Sequence, residues 1–210
     1  MFLIKLIAMG LHLFIGYKTV QKIKGLRKRI YSAWISLEFG ECGSNCKFSG
    51  FSWLHEPKLM RFGNDVTIGK NVVIELYKQY GTQKFDPIFK VGDNSSFGDD
   101  GHITCVNKII IGNNVVIGRK VFITDNSHGK SDRNNLELNP FQRLLETKGP
   151  VIIEDYVWIG EMVCIMPGVT IGKGSIIGAN AVVTKNIPPY CVAVGNPARV
   201  VKDLRSLVSR

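Results

Sequence analysis

The feature that most constrains this chain is a six-residue period running from Ile153 to Pro188. Read in sixes, the stretch is Ile153-Glu-Asp-Tyr-Val-Trp, Ile159-Gly-Glu-Met-Val-Cys, Ile165-Met-Pro-Gly-Val-Thr, Ile171-Gly-Lys-Gly-Ser-Ile, Ile177-Gly-Ala-Asn-Ala-Val and Val183-Thr-Lys-Asn-Ile-Pro. An aliphatic residue opens every hexad, and Val, Ser, Ala or Ile stands at its fifth place. An amphipathic helix repeats its apolar stripe at i, i+3 and i+4, so it cannot keep this phase. A short parallel strand followed by a corner can, and three such faces close one coil of a prism. The opener and the small fifth residue then point inward, where the coils above and below cover them. Stacking itself therefore buries the core. Glycine, common at the second place, is expected there to let the backbone turn without a side-chain clash.

The pattern starts well before Ile153. Phe39-Gly-Glu-Cys-Gly reads as a ragged first coil that caps the stack. Clear hexads begin at Phe62-Gly-Asn-Asp-Val-Thr and Ile68-Gly-Lys-Asn-Val-Val, and Ile74 opens the next face. The phase breaks from Tyr77 to Pro87, which reads as an outward loop, and resumes at Val91, Phe97 and Ile103. A two-residue slip precedes the next coil, opened by Ile111, Ile117 and Ile123. Thr124 to Gly149 then abandons the pattern and carries Gly129, Pro140 and eight charged residues. A long loop inside a compact repeat is more often functional than accidental. Pro188-Pro189 ends the stack, and Val192 to Arg199 reads as a last extended piece. The expected organisation is an N-terminal helical segment (1–37), a repeat domain (38–200) with its inserted loop (124–149), and a tail (201–210) read as a short terminal helix.

The formal net charge of +10 is unevenly placed. Residues 1–37 hold seven basic residues (Lys5, Lys18, Lys22, Lys24, Arg27, Lys28, Arg29) and no acidic one, which leaves the repeats only mildly basic. Without an interleaved basic and aromatic platform, the charge does not indicate nucleic acid. Phe2 to Ile15 is almost wholly apolar, but a spanning helix needs about 20 such residues, and a secretory signal carries its charge ahead of the apolar run. Two readings stand: a helix packed on the protein or a partner subunit, and an interfacial anchor through residues 1–29 with its basic residues near anionic headgroups. The five scattered cysteines fit a reducing compartment rather than a disulfide framework. The expected location is cytoplasmic, with peripheral contact on the inner face of the membrane.

Four segments carry a family resemblance: Val157-Trp-Ile-Gly, Pro167-Gly-Val-Thr-Ile-Gly, Gly178-Ala-Asn-Ala-Val-Val-Thr-Lys-Asn-Ile-Pro-Pro and Ala193-Val-Gly-Asn-Pro-Ala-Arg. With them the chain closely resembles the hexapeptide-repeat acyltransferases, and within these the sugar and antibiotic O-acetyltransferases, whose insertion loop carries an Asp-x-x-His-Gly setting. Here that setting is Asp125-Asn126-Ser127-His128-Gly129. The resemblance implies a left-handed parallel β-helix, acetyl-CoA as cosubstrate without a metal, a homotrimer with sites between subunits, and direct transfer in a ternary complex. A sugar hydroxyl needs a base near neutral pH, and imidazole has a suitable pKa; His128 takes that role. His102 and Asn107 are expected toward the acceptor, although Asn107 also fits an inward corner amide. Asp125 and Asn126 are also expected on the acceptor side, where they either hold the His128 tautomer or shape a turn. For the donor, Trp158 is a flat wall or a surface cap, Gly160, Gly178 and Ala179 permit close approach, and Lys185 and Arg199 meet the nucleotide phosphates.

The acceptor expected is a sugar hydroxyl of a surface-polysaccharide or glycolipid precursor. A serine or antibiotic acetyltransferase on the same fold is the alternative. A carbonic anhydrase on this prism would need three imidazoles converging on zinc, and only His102 and His128 fall near a cleft. A non-catalytic scaffold has no use for His128 in its motif.

Overall fold

The computed structural model describes residues 1–205 except Ser131, and of Leu13 and Phe14 only the backbone. The hexads form the expected three-faced parallel β-helix. Its first face stacks Glu41–Cys42, Met60–Phe62, Ile88–Val91, Lys108–Ile111, Val151–Ile153 and Thr170–Ile171. The second stacks Ser96–Phe97, Val116–Ile117, Trp158–Ile159, Ile176–Ile177 and Cys191–Val194. The third stacks His102–Cys105, Phe122–Thr124, Cys164–Ile165 and Val182–Val183. Two longer strands, Lys47–His55 and Thr67–Leu76, run round a corner and serve both of the last two faces. Thr67 and Ile68 pair with Ser96 and Phe97, whereas Val73 to Leu76 pair with His102 to Cys105.

The inward positions are those the period assigns. The six openers from Ile153 to Val183 are at most 1% exposed, and Val157, Val163, Val169, Ser175, Ala181 and Ile187 are buried with them. Each large aliphatic side chain so enclosed contributes roughly 1.5–3 kcal/mol. Ser175 is the polar member, and its hydroxyl donates to the Pro188 carbonyl while accepting from the Cys191 N–H.

The role expected of the second-place glycines is corrected by the structure. The left-handed backbone falls at the fourth place instead, where Asp65, Asn94, Asn114, Tyr156, Met162 and Asn180 have φ of 56–61°. Such a conformation costs a non-glycine residue roughly 1–2 kcal/mol. Each of these six N–H groups donates to a carbonyl of an earlier coil at 2.8–3.0 Å, which offsets that cost. The second place needs glycine because the next coil stacks directly on it. A Cβ on Gly118 would lie 2.7 Å from the Glu161 nitrogen, and one on Gly160 2.6 Å from that of Ala179.

The N-terminal end of the prism is closed by Phe39, whose ring lies 4.7 Å from Phe62 and 5.2 Å from Phe48, centroid to centroid. Helix α2 (Tyr17–Ser36) docks there through its last turns, burying only Ser32 and Ile35. The Ser32 hydroxyl accepts from the Phe48 N–H at 2.9 Å. Helix α1 (Phe2–Phe14) has no buried side chain among those described, so it does not pack on the prism. Among the described residues, no single helix is long and apolar enough to cross a membrane. All five cysteines are free. Burial, with Cys46 alongside, pushes the Cys42 thiol up to about 12, as suits packing residues. At the other end, Arg199–Asp203 is a strand pairing antiparallel with Cys191–Val194. The helix expected over 201–210 is therefore not formed at 201–203, because the chain folds back onto an open sheet edge that supplies hydrogen bonds; residues 206–210 lie outside the described residues.

Candidate active site

Successive residues of a strand face opposite sides, so the third face presents an outward row in which His102 stands beside Val73 and Phe122, and Thr104 beside Glu75 and Thr124. His102 Nε2 lies 3.0 Å from Glu75 Oε2, with the two side chains 44% and 22% exposed. The imidazole also tilts against Phe122, 5.3 Å between ring centroids. Burial and the neighbouring Glu75 carboxylate push the Tyr77 hydroxyl up to about 12. A carboxylate–imidazole pair, Thr104 and an aromatic wall thus share one surface, while Thr124 is buried.

The chain leaves this face at Thr124 and turns inward before it turns out. Asp125 is fully buried. Its carboxylate accepts from the backbone N–H groups of Val106, Asn107 and Lys108 at 2.9, 2.8 and 2.7 Å, and from the Cys105 thiol at 3.2 Å. The two-residue slip explains this arrangement. Extra residues widen the corner between Cys105 and Lys108, and its N–H groups turn to one carboxylate instead of a neighbouring coil. Asp125 is therefore closed to an acceptor, which corrects the role expected for it. Asn107 is a half-buried corner residue whose backbone bonds Asp125 and Ile88. Asn126 donates through Nδ2 to Thr104 Oγ1 at 2.8 Å and to Asp125 Oδ1 at 3.1 Å. Neither Asp125 nor Asn126 is the hydrogen-bond partner of His128.

His128 lies on a two-residue strand, Ser127–His128, paired antiparallel with Leu145–Glu146 and exposed to solvent. Its partner is Tyr80, whose hydroxyl oxygen lies 3.3 Å from His128 Nδ1 and donates to the Phe141 carbonyl at 2.9 Å. Tyr80 belongs to the first phase break, which forms a small hairpin of Gln79–Tyr80 and Gln83–Lys84. Gln83 clamps that hairpin to the insertion loop: its Oε1 accepts from Leu145 N at 2.6 Å and its Nε2 donates to Leu145 O at 3.0 Å. Sequence reasoning passed over Tyr80 and Glu75. The available signal was that two phase breaks of one repeat, separated by whole coils, project from the same face.

The donor-side residues lie elsewhere. Trp158 is 55% exposed on the second face, between Val116 and Ile176, and so projects from a different side of the prism than His102 and Phe122. The close approach that Gly160 and Gly178 permit is made by the protein itself, Gly160 against the Ala179 backbone and Gly178 against the Val194 side chain. Ala179 is exposed at the following turn, and Lys185 and Arg199 are exposed near the C-terminal end of the stack. One guanidinium nitrogen of Arg199 donates to the Ala198 carbonyl at 2.9 Å. Asn186 Oδ1 caps the Thr170 N–H at 2.8 Å, so it acts as a corner residue.

Comparison with known proteins agrees with this architecture. Residues 150–185 match the bacterial transferase hexapeptide (six repeats) family. Over 163 residues the chain is 32% identical to an Escherichia coli K12 protein named as a lipopolysaccharide biosynthesis O-acetyl transferase, covering 75% of this chain and 79% of that one. It is 34% identical over 155 residues to the galactoside O-acetyltransferase of the same organism, covering 73% of this chain and 61% of that one. A hexapeptide-repeat acetyltransferase of Vibrio cholerae superimposes with a TM-score of 0.58 at 27% identity, over 85% of this chain and 82% of that one. The same enzyme has also been solved with acetyl-coenzyme A, at a TM-score of 0.53 over 83% and 76% of the two chains. With its repeat, its insertion loop and a full-domain relative in agreement, the chain belongs to the hexapeptide-repeat acetyltransferases, enzymes built on a left-handed parallel β-helix.

Proposed function

We propose that the enzyme transfers the acetyl group of acetyl-CoA directly to a sugar hydroxyl, with His128 as the general base. The observation that carries the reading is the placement of His128. It is exposed on the strand that follows Thr124 of the third face, whose outward row carries His102, Thr104 and Phe122, while its Nδ1 is engaged by Tyr80. Its Nε2 is then the nitrogen that takes the proton of the acceptor hydroxyl as the new C–O bond forms and the thioester C–S bond breaks; the imidazolium returns that proton to the departing thiolate. Cys105, which donates to Asp125, is buried, and burial and the Asp125 carboxylate both raise its pKa, which removes that thiol as a nucleophile. Family kinship with a protein named for lipopolysaccharide biosynthesis supports a surface-polysaccharide or glycolipid precursor as acceptor. The test is release of free coenzyme A thiol from acetyl-CoA with a panel of acceptors. Sugars and glycolipid precursors should be turned over, and preference for serine or an aminoglycoside would overturn the assignment.

Trp158 stands on the second face and the insertion loop that carries His128 leaves from the third, which supports a site completed by a neighbouring subunit. A homotrimer in which a neighbour presents Trp158, Lys185 and Arg199 to the His128 groove completes it, and cyclic closure leaves no open association surface.

Residues 1–29 are read as an interfacial anchor that holds the cytoplasmic enzyme on the inner membrane face. Phe2, Leu3, Ile4 and Met9 of α1 are 67–79% exposed, and a helix apolar on all sides is ordinarily buried in protein or lipid. The basic residues of α2 suit anionic headgroups. Removal of residues 1–29 is expected to leave a soluble, active enzyme that no longer co-sediments with anionic vesicles. Loss of the oligomer on truncation would instead make the segment a subunit contact.

A further inference from the structure

We propose that the short segment from Glu75 to Tyr80 sets two imidazoles, that of His128 on the insertion loop and that of His102 on the third face, in opposite tautomers, His128 protonated at Nδ1 and His102 protonated at Nε2. The catalytic consequence rests on the reading of His128 as base; the tautomers do not.

A phenol has one hydrogen to donate, and a carbonyl oxygen can only accept. The Tyr80 hydroxyl lies 2.9 Å from the Phe141 carbonyl, so its hydrogen is committed there. The same oxygen faces His128 Nδ1 at 3.3 Å and can only accept from it. In the neutral ring the hydrogen is then on Nδ1, and the Nε2 lone pair is free. At the other end of the segment, a carboxylate also only accepts. Glu75 Oε2 lies 3.0 Å from His102 Nε2, so His102 carries its hydrogen on Nε2 and keeps Nδ1 as an acceptor.

Both contacts are long-range, 48 residues apart for Tyr80 and His128 and 27 for Glu75 and His102, yet they originate five positions apart on one segment. The Tyr80 end is held in place, because Gln83 grips both backbone groups of Leu145, the residue directly across the ladder from His128. The effect is a division of labour. His128 presents an unprotonated Nε2 that can receive a proton, while His102 presents an unprotonated Nδ1 that can receive a hydrogen bond from a second hydroxyl of the acceptor. Tyr80 and Glu75 act through the imidazoles and are positioning residues.

The test is nitrogen-15 NMR of the full chain labelled on histidine, at pH about 8.5, where an unperturbed imidazole is neutral. The chain has four histidines, each assignable by a His→Gln variant. The wild-type spectrum should show His128 as the Nδ1–H tautomer and His102 as the Nε2–H tautomer. His55, whose Nδ1 meets the Leu76 carbonyl at 2.8 Å, serves as an internal Nδ1–H reference. Tyr80→Phe should move His128 toward Nε2–H, leave His55 and His102 unchanged, and lower turnover about 5- to 30-fold with acceptor KM preserved. An Nε2–H ring at His128 in the wild type, or a ring unmoved by Tyr80→Phe, would overturn the proposal. A tautomer that moves without loss of turnover would uphold it and remove His128 from the role of base.

Discussion

His128→Ala is expected to lower turnover about 10²–10⁴-fold, the contribution of a positioned general base, while the unfolding midpoint and the affinity for coenzyme A stay near wild type. The side chain is exposed and its hydrogen-bond partner is Tyr80, so its removal exposes no core and strands no buried group. The same variant tests the assembly. Co-expressed with a chain carrying Trp158→Ala and Lys185→Ala, also expected to be inactive, it should form hybrids that regain activity. Some grooves then combine an intact His128 with an intact donor wall on a neighbour. Hybrids as inactive as their parents, despite proven mixing, would place the whole site within one chain. Wild-type turnover in His128→Ala would move the base elsewhere on the third face, to His102 first.

Asp125→Ala should act on folding rather than on the acceptor. The carboxylate is fully buried and is the acceptor for three consecutive backbone N–H groups. An unpaired buried donor costs about 1–3 kcal/mol, so losing three bonds is expected to cost about 3–5 kcal/mol, a large share of the roughly 5–15 kcal/mol that holds a domain together. Denaturant titration should show a much lower midpoint, or the variant should fail to accumulate. Asp125→Asn keeps one acceptor oxygen and should fall between. A stable Asp125→Ala enzyme with a raised acceptor KM would return the residue to the role that its place in the motif suggests.

These two residues stand three apart, and the contrast between them shows how far a linear reading reaches. The prism was legible because a repeat states each inward position many times over. Ile153, Ile159, Ile165 and Ile171 each report the same environment, and so do Val157, Val163 and Val169. The insertion loop was legible as the place where that statement stops, and His128 through its motif. The second-place glycines were recognised for a wrong reason, since a single hexad read alone shows a turn but not the coil that stacks upon it, 2.6 Å from a Cβ at Gly160. The slip at Lys108 to Ile111 was visible as a loss of phase, but that Asp125 fills the corner it opens depends on a contact across 17–19 residues.

What the sequence alone determined is therefore whatever the period repeats: fold class, core, faces, and the interruption that carries the histidine. Tertiary structure decided what no repeat states. It paired Tyr80 with His128 and Glu75 with His102, committed Asp125 to the backbone, and set Trp158 on a different face from His102. The physical reason is that an inward position is defined by its nearest neighbours in a stack of identical coils, whereas a site residue is defined by one partner far along the chain. Such a partner is chosen by hydrogen-bond geometry once the coils have closed, and it leaves no periodic trace in the sequence.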